Sequence, residues 1–276
     1  MNPIQRQVIS LLCLVSLVGL AGCDNGEVIE PTEGPVALAD VQYWAYQIQD
    51  ISGAGAVEAL AASGYDMLVV EPTRTDWSGD DKDFDAKDMV DQLKASAASD
   101  GIHRKLVIGY INIGEAEDWR WYWTWSASWP QGSPMPADWP DYILVHDPDG
   151  WEGNYRVAYW DTRWKDIMIH GQSTHAAADR DYVSVVDELI RDGFDGDAFD
   201  DWNASDGYDS ENDADLSDYY IEYLDRYLAA GVPVFNCEYA LGKASTAYSR
   251  SAARGYVAYA TRRSLSRLTT TPPPGY

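Results

Sequence analysis

The sequence predicts a single α/β domain folded as a TIM-type (β/α)8 barrel, and three observations carry that expectation. Short runs rich in β-branched and aromatic residues alternate with helix-period stretches from Val41 onward, the pattern of repeated βα units around a parallel sheet. Glycine closes several of the helical stretches, where its tolerance of positive φ ends a helix. Carboxylates finish several strand candidates, at the end where barrels of this type keep their sites. An open doubly wound sheet is the alternative, but no Gly-x-Gly-x-x-Gly or phosphate-binding loop follows any strand.

In chain order the strand candidates are residues 41–48, 67–70, 106–111, 142–145, 156–160, 195–199, 232–237 and 256–260. The helical stretches between them are 54–63, 86–98, 182–191, 218–230 and 245–254, with Gly64, Gly193, Gly231 and Gly255 as stop signals. Residues 40–268 therefore form the expected barrel, followed by a Pro-rich tail at 269–276.

Residues 1–22 read as an export signal, with Arg6 ahead of an apolar run at 8–20 that is too short to span a bilayer. The run closes on Leu20-Ala21-Gly22-Cys23, which resembles the bacterial lipobox and implies lipidation at Cys23. Residues 23–39 then form a flexible tether. The expected location is a bacterial membrane, held through that lipid alone and facing the periplasm or the outside. Cys13 leaves with the signal and Cys23 carries lipid, so only Cys237 remains in the domain and no disulfide framework is possible. The formal charge of −25 repels nucleic acid, which is excluded as a partner. A monomer is expected, without cofactor or metal.

Strand alternation sorts the carboxylates, because residues of one parity share a face. Gly196, Ala198 and Asp200 form one set, with small side chains suited to a crowded interior; Val234, Asn236 and Glu238 form another. Asp195, Asp197 and Asp201 have the opposite parity to Asp200, which points them toward helices or solvent, and Cys237 is expected behind the sheet. Twelve Trp and nineteen Tyr offer flat faces for sugar stacking. Paired carboxylates in such a setting suit glycoside hydrolysis, in which one acid protonates the leaving oxygen and the other attacks the anomeric carbon or activates water.

Several strings together resemble glycoside hydrolase family 114. They are Trp44-Ala45-Tyr46-Gln47-Ile48-Gln49, the run from Gly109-Tyr110-Ile111-Asn112 through Gly114-Glu115-Ala116-Glu117 to Arg120, Tyr159-Trp160-Asp161, Gly193-Phe194-Asp195-Gly196 to Asp200, and Phe235-Asn236-Cys237-Glu238. The resemblance implies a TIM-type barrel acting on α-1,4-linked galactosamine polymers. It places the catalytic Asp and Glu on Asp200, as nucleophile, and Glu238, as acid/base. It also implies that Glu71, Tyr110, Asn112, Glu115, Arg120, Trp160, Asp161, Asp195 and Asn236 line or brace the sugar site. Asp197 departs from the family, which carries an apolar residue there, and residues 170–180 read as an insertion.

The tryptophans at 119, 121, 123, 125 and 129 suit either stacking subsites or packing. Asp201-x-Asn203-x-Ser205-Asp206-Gly207 departs from a calcium loop in its glycine spacing and has no closing glutamate. No His-x-x-x-His pair and no Ser-centred nucleophile elbow is present. The competing function is a non-catalytic carbohydrate-binding barrel lipoprotein.

Overall fold

A computed structural model describes residues 28–72, 86–126, 128–148, 150–171, 183–200, 214–239, 241–262, 264–269 and 271–276. Cys23, expected to carry lipid, the expected export signal at 1–22 and the 201–207 loop lie outside the described residues.

The chain begins with a short strand β1 (Glu33–Pro35), then β2 (Trp44–Gln47), α1 (Ala56–Ala62), β3 (Met67–Val70) and α2 (Ala86–Lys94). Strand β4 (His103–Arg104) leads into β5 (Leu106–Asn112), which is followed by β6 (Glu115–Glu117), β7 (Ile143–His146) and β8 (Asn154–Val157). The second half holds α3 (Thr162–Lys165), α4 (Val185–Asp192), β9 (Gly196–Asp200), α5 (Ala214–Ala229), β10 (Phe235–Glu238), α6 (Ala244–Arg254) and β11 (Val257–Ala260). Glycines 193, 231 and 255 end their helices with positive φ, as expected.

Strands β2, β3, β5 and β9 form one parallel sheet, and β10 pairs in parallel with β11. The Trp44 indole N–H reaches across to donate to the Val257 carbonyl at 2.9 Å, which joins the two sheets into one arc of six parallel strands. Residues of β2 and β3 are buried on both faces, as in a sheet flanked by helices. The inner face is marked by aromatic contacts across the hollow: Trp44 lies 6.2 Å from Phe235 and 5.7 Å from Tyr259, and Tyr46 lies 5.9 Å from Tyr110. Gly109 faces outward, and a Cβ there would stand 2.7 Å from a Leu189 methyl, so its lack of side chain lets α4 close on the sheet.

Two of the eight expected barrel strands are corrected. The candidates at 142–145 and 156–160 do not join the arc; as β7 and β8 they pair antiparallel with each other, and β8 with β6. The seven-residue link 147–153 forces this, because a parallel crossover needs a dozen or more residues. Among the described residues no pairing closes the arc between β9 and β10. The side sheet covers a second core containing Ile111, Tyr122, Trp139, Tyr142 and Trp164, against which Trp123, Trp125 and Trp129 pack. Trp119 and Trp121 are buried as well, so the tryptophan run is packing.

Residues 29–36, within the expected flexible tether, are docked. The Ile29 carbonyl accepts from Ala97 N–H, Thr32 and Glu33 donate to the Ile102 carbonyl, and Val36 donates to Arg104. The tail is seated too: Tyr276 lies 4.5 Å from Tyr65, and its hydroxyl accepts from Gly64 N–H at 2.8 Å. Among the described residues no helix is long and apolar enough to cross a membrane.

Candidate active site

Parallel strands bring their C-terminal residues to one end, and the predicted site residues divide according to whether they sit there. In register, β5 sets Tyr110 beside Ala198 and Asn112 beside Asp200. Asp200 therefore occupies the inner-face parity of Tyr110 at the strand end, as its position in the Gly196-Ala198-Asp200 set requires. The Asp200 side chain itself lies outside the described residues.

Glu71 follows β3 at the same end and grips Arg120 through both oxygens, with Nη1 at 2.9 Å and Nη2 at 3.0 Å. Arg120 Nε donates to Glu117 at 2.6 Å, and its guanidinium lies 4.2 Å from the centre of the Trp119 ring. All three charged side chains are at most 8% exposed. Burial alone would lower the Arg120 pKa, but Glu117 and Glu71 outweigh it and raise it well above its usual value. The group is thus a permanently charged brace that ties the end of β3 to the turn after β6.

Beyond Asn112, the chain turns at Gly114 and sets Glu115 into a buried polar knot. Asn112 and Asn154 amides both donate to Glu115 Oε2, at 3.1 and 3.2 Å. Burial, with Asp147 adding repulsion and a hydrogen bond, pushes the Glu115 carboxyl up to about 7 against the pull of the two amides. Asp147, Asn154 and Glu117 were not singled out from the sequence. Asp147 and Asn154 reach the site only through the β7–β8 hairpin, while Glu117 lies inside the quoted Gly114–Arg120 run and its spacing of three from Arg120 was a readable cue.

Glu238 ends β10 and is exposed at the rim. Asn236 Nδ2 donates to Glu238 Oε1 at 3.1 Å and to Ser251 Oγ at 3.0 Å, tying the carboxylate to α6. Although Glu238 as a whole is exposed, desolvation of its carboxyl raises the pKa, against the Asn236 hydrogen bond and the Arg250 charge. Asn236 and Glu238 share a face, as alternation requires, but that face looks toward α6. The expectation that Cys237 lies behind the sheet is corrected: Cys237 and Phe235 pack against the main core.

Three predicted residues stand apart. Asp195 precedes β9 at the opposite, N-terminal end of the arc, where Arg104 donates to it twice at 2.7 Å and Lys94 lies 2.9 Å away. Asp161 caps α3 by accepting from Arg163 N–H at 2.8 Å, and the Arg163 hydrogen bonds hold its carboxyl down at about 2. Trp160 is 62% exposed beside Tyr159, free to stack on a ligand.

No family model matches the chain. Among curated proteins it is 29% identical over 174 residues to an uncharacterized protein of Methanocaldococcus jannaschii, covering 61% of this chain and 39% of that one. It is 30% identical over 189 residues to an uncharacterized protein of Thermotoga maritima, covering 68% of this chain and 45% of the other. The chain thus spans less than half the length of these relatives. Among solved structures, a variant of the glycoside hydrolase domain of PelA from Pseudomonas aeruginosa aligns with a TM-score of 0.50 at 12% identity, over 83% of this chain and 97% of that domain. Aspergillus fumigatus Ega3 in complex with galactosamine aligns with a TM-score of 0.45 at 14% identity, over 90% and 97%. The likeness to the PelA domain is one of fold: a mixed α/β architecture shared with a glycoside hydrolase domain.

Proposed function

We propose that this protein is an exported glycoside hydrolase that cleaves α-linked amino-sugar polysaccharide of the galactosaminan type. The observation that carries the reading is that Asp200 and Glu238 each end a parallel strand, on a fold shared with a glycoside hydrolase domain. In this reading Glu238 donates a proton to the leaving oxygen. Asp200, at the end of β9, attacks the anomeric carbon, and Glu238 then takes a proton from the water that releases the sugar. Tyr110 and Asn112 shape the mouth, Asn236 holds the Glu238 carboxyl, and the Glu71–Arg120–Glu117 brace fixes the floor. The chain is delivered by the signal at 1–22 and held by lipid on Cys23, and it acts as a monomer.

The test incubates the protein with α-1,4-galactosamine oligomers and with unrelated glycans, alongside Asp200→Asn and Glu238→Gln. Shorter chains released by the wild type and by neither variant support the proposal. The outward parity of Glu238 favours a second reading, a carbohydrate-binding barrel without catalysis, and wild-type binding without cleavage would establish that instead.

A further inference from the structure

The chain leaves the domain at the end opposite the candidate active site. Residues 29–36 dock on the stretch 97–104, which runs into the N-terminal start of β5. Around this exit the surface is unusually apolar. Val28, Ile29, Leu38 and Ile102 are 42%, 60%, 48% and 49% exposed. Ile29 and Ile102 belong to the paired backbone segments themselves, and Val232 and Tyr276, at 44% and 45%, emerge at the same end of the arc.

Cys23 stands five residues before Val28, so a lipid on it reaches at most about 18 Å from the domain. Strand β5 alone carries the chain about 20 Å toward the other end. An exposed apolar cluster beside so short a leash has one partner within reach. We propose that the N-terminal end of the arc, centred on Ile29 and Ile102, rests on the lipid surface, so that the mouth formed by Asp200 and Glu238 opens away from the membrane. The proposal rests on lipidation at Cys23. Glu30, Glu33, Asp40 and Asp100 surround the cluster, so the fitting surface is zwitterionic and an anionic one is repelled. An enzyme held this way works on polymer in the space beyond the membrane rather than on glycan lying against it.

The test uses the full, processed chain on vesicles of zwitterionic lipid, with amide hydrogen exchange followed by mass spectrometry and compared with the same chain in detergent. Exchange at residues 28–33 and 99–103 should slow several-fold on vesicles, while 112–117 and 235–239 stay unchanged. Adding anionic lipid, or introducing Ile29→Glu with Ile102→Glu, should remove the slowing although the lipid still holds the protein. Slowing at the mouth peptides, no slowing anywhere, or slowing that survives the double substitution would each overturn the orientation. An intact mass lacking acyl chains on Cys23 would overturn the anchoring reading and this proposal with it, a failure distinct from the others.

Discussion

Replacing Arg120 by Met tests whether the charged brace is built as the distances say. One guanidinium faces two carboxylates, each within 3.0 Å, and none of the three side chains exceeds 8% exposure. Arg120→Met fills the volume but leaves Glu71 and Glu117 buried and mutually repelling, with no guanidinium between them. Breaking a buried pair by removing one partner costs about 3 to 5 kcal/mol, a large part of a typical domain stability of about 5 to 15 kcal/mol. Glu117→Gln leaves the bidentate Glu71–Arg120 pair intact and loses one charge-assisted bond, which costs about 1.5 to 3 kcal/mol. Urea unfolding followed by circular dichroism at pH 7 measures both. If Arg120→Met unfolds within about 1 kcal/mol of the parent, or costs no more than Glu117→Gln, the brace does not exist in this form.

Other consequences can be checked in the same way. Glu115 has its folded pKa raised from 4.5 to about 7, so the native state binds more protons than the unfolded one in that window and stability falls as pH rises through it. Glu115→Gln, which mimics the protonated form, should flatten the pH–stability profile between those values; an unchanged slope would place the proton elsewhere. Gly109→Ala drives a Cβ to 2.7 Å from Leu189 and should cost about 1 to 3 kcal/mol in thermal or urea unfolding, recovered in part in the double variant with Leu189→Ala. The fully buried Lys105 ammonium donates to the carbonyls of Ser63, Tyr65 and Ala97. Lys105→Met orphans all three acceptors and should destabilise by more than about 3 kcal/mol, whereas a near-neutral result would mean that water replaces the ammonium.

The parallel strands were legible because their apolar runs are continuous and their helices end on glycine; β2, β3, β5, β9, β10 and β11 all fall on runs read from the sequence. The runs at 142–145 and 156–160 look the same locally. Only the shortness of the link between them, and the availability of β6 as a partner, makes them a side hairpin instead of barrel strands. The tryptophan run was equally ambiguous, since a flat ring serves a sugar or a core, and the hairpin that buries it is assembled from residues some thirty positions away.

The site divides along the same line. By itself the sequence determined where strands end and that Asn236 and Glu238 share a face, because alternation is a property of the extended backbone. It also determined the acidity of those ends and the apolar run at 8–20 ahead of Cys23. Only the tertiary structure decided which face looks inward, since that choice depends on what packs against each side of the strand. Tertiary contacts likewise sent Asp195 to a pair of cations at the far end, drew Asp147 and Asn154 to Glu115, and laid the supposed tether against β4. Each of these outcomes sets the cost of burying a charge or a backbone group against a partner distant in sequence, and no local pattern carries that balance.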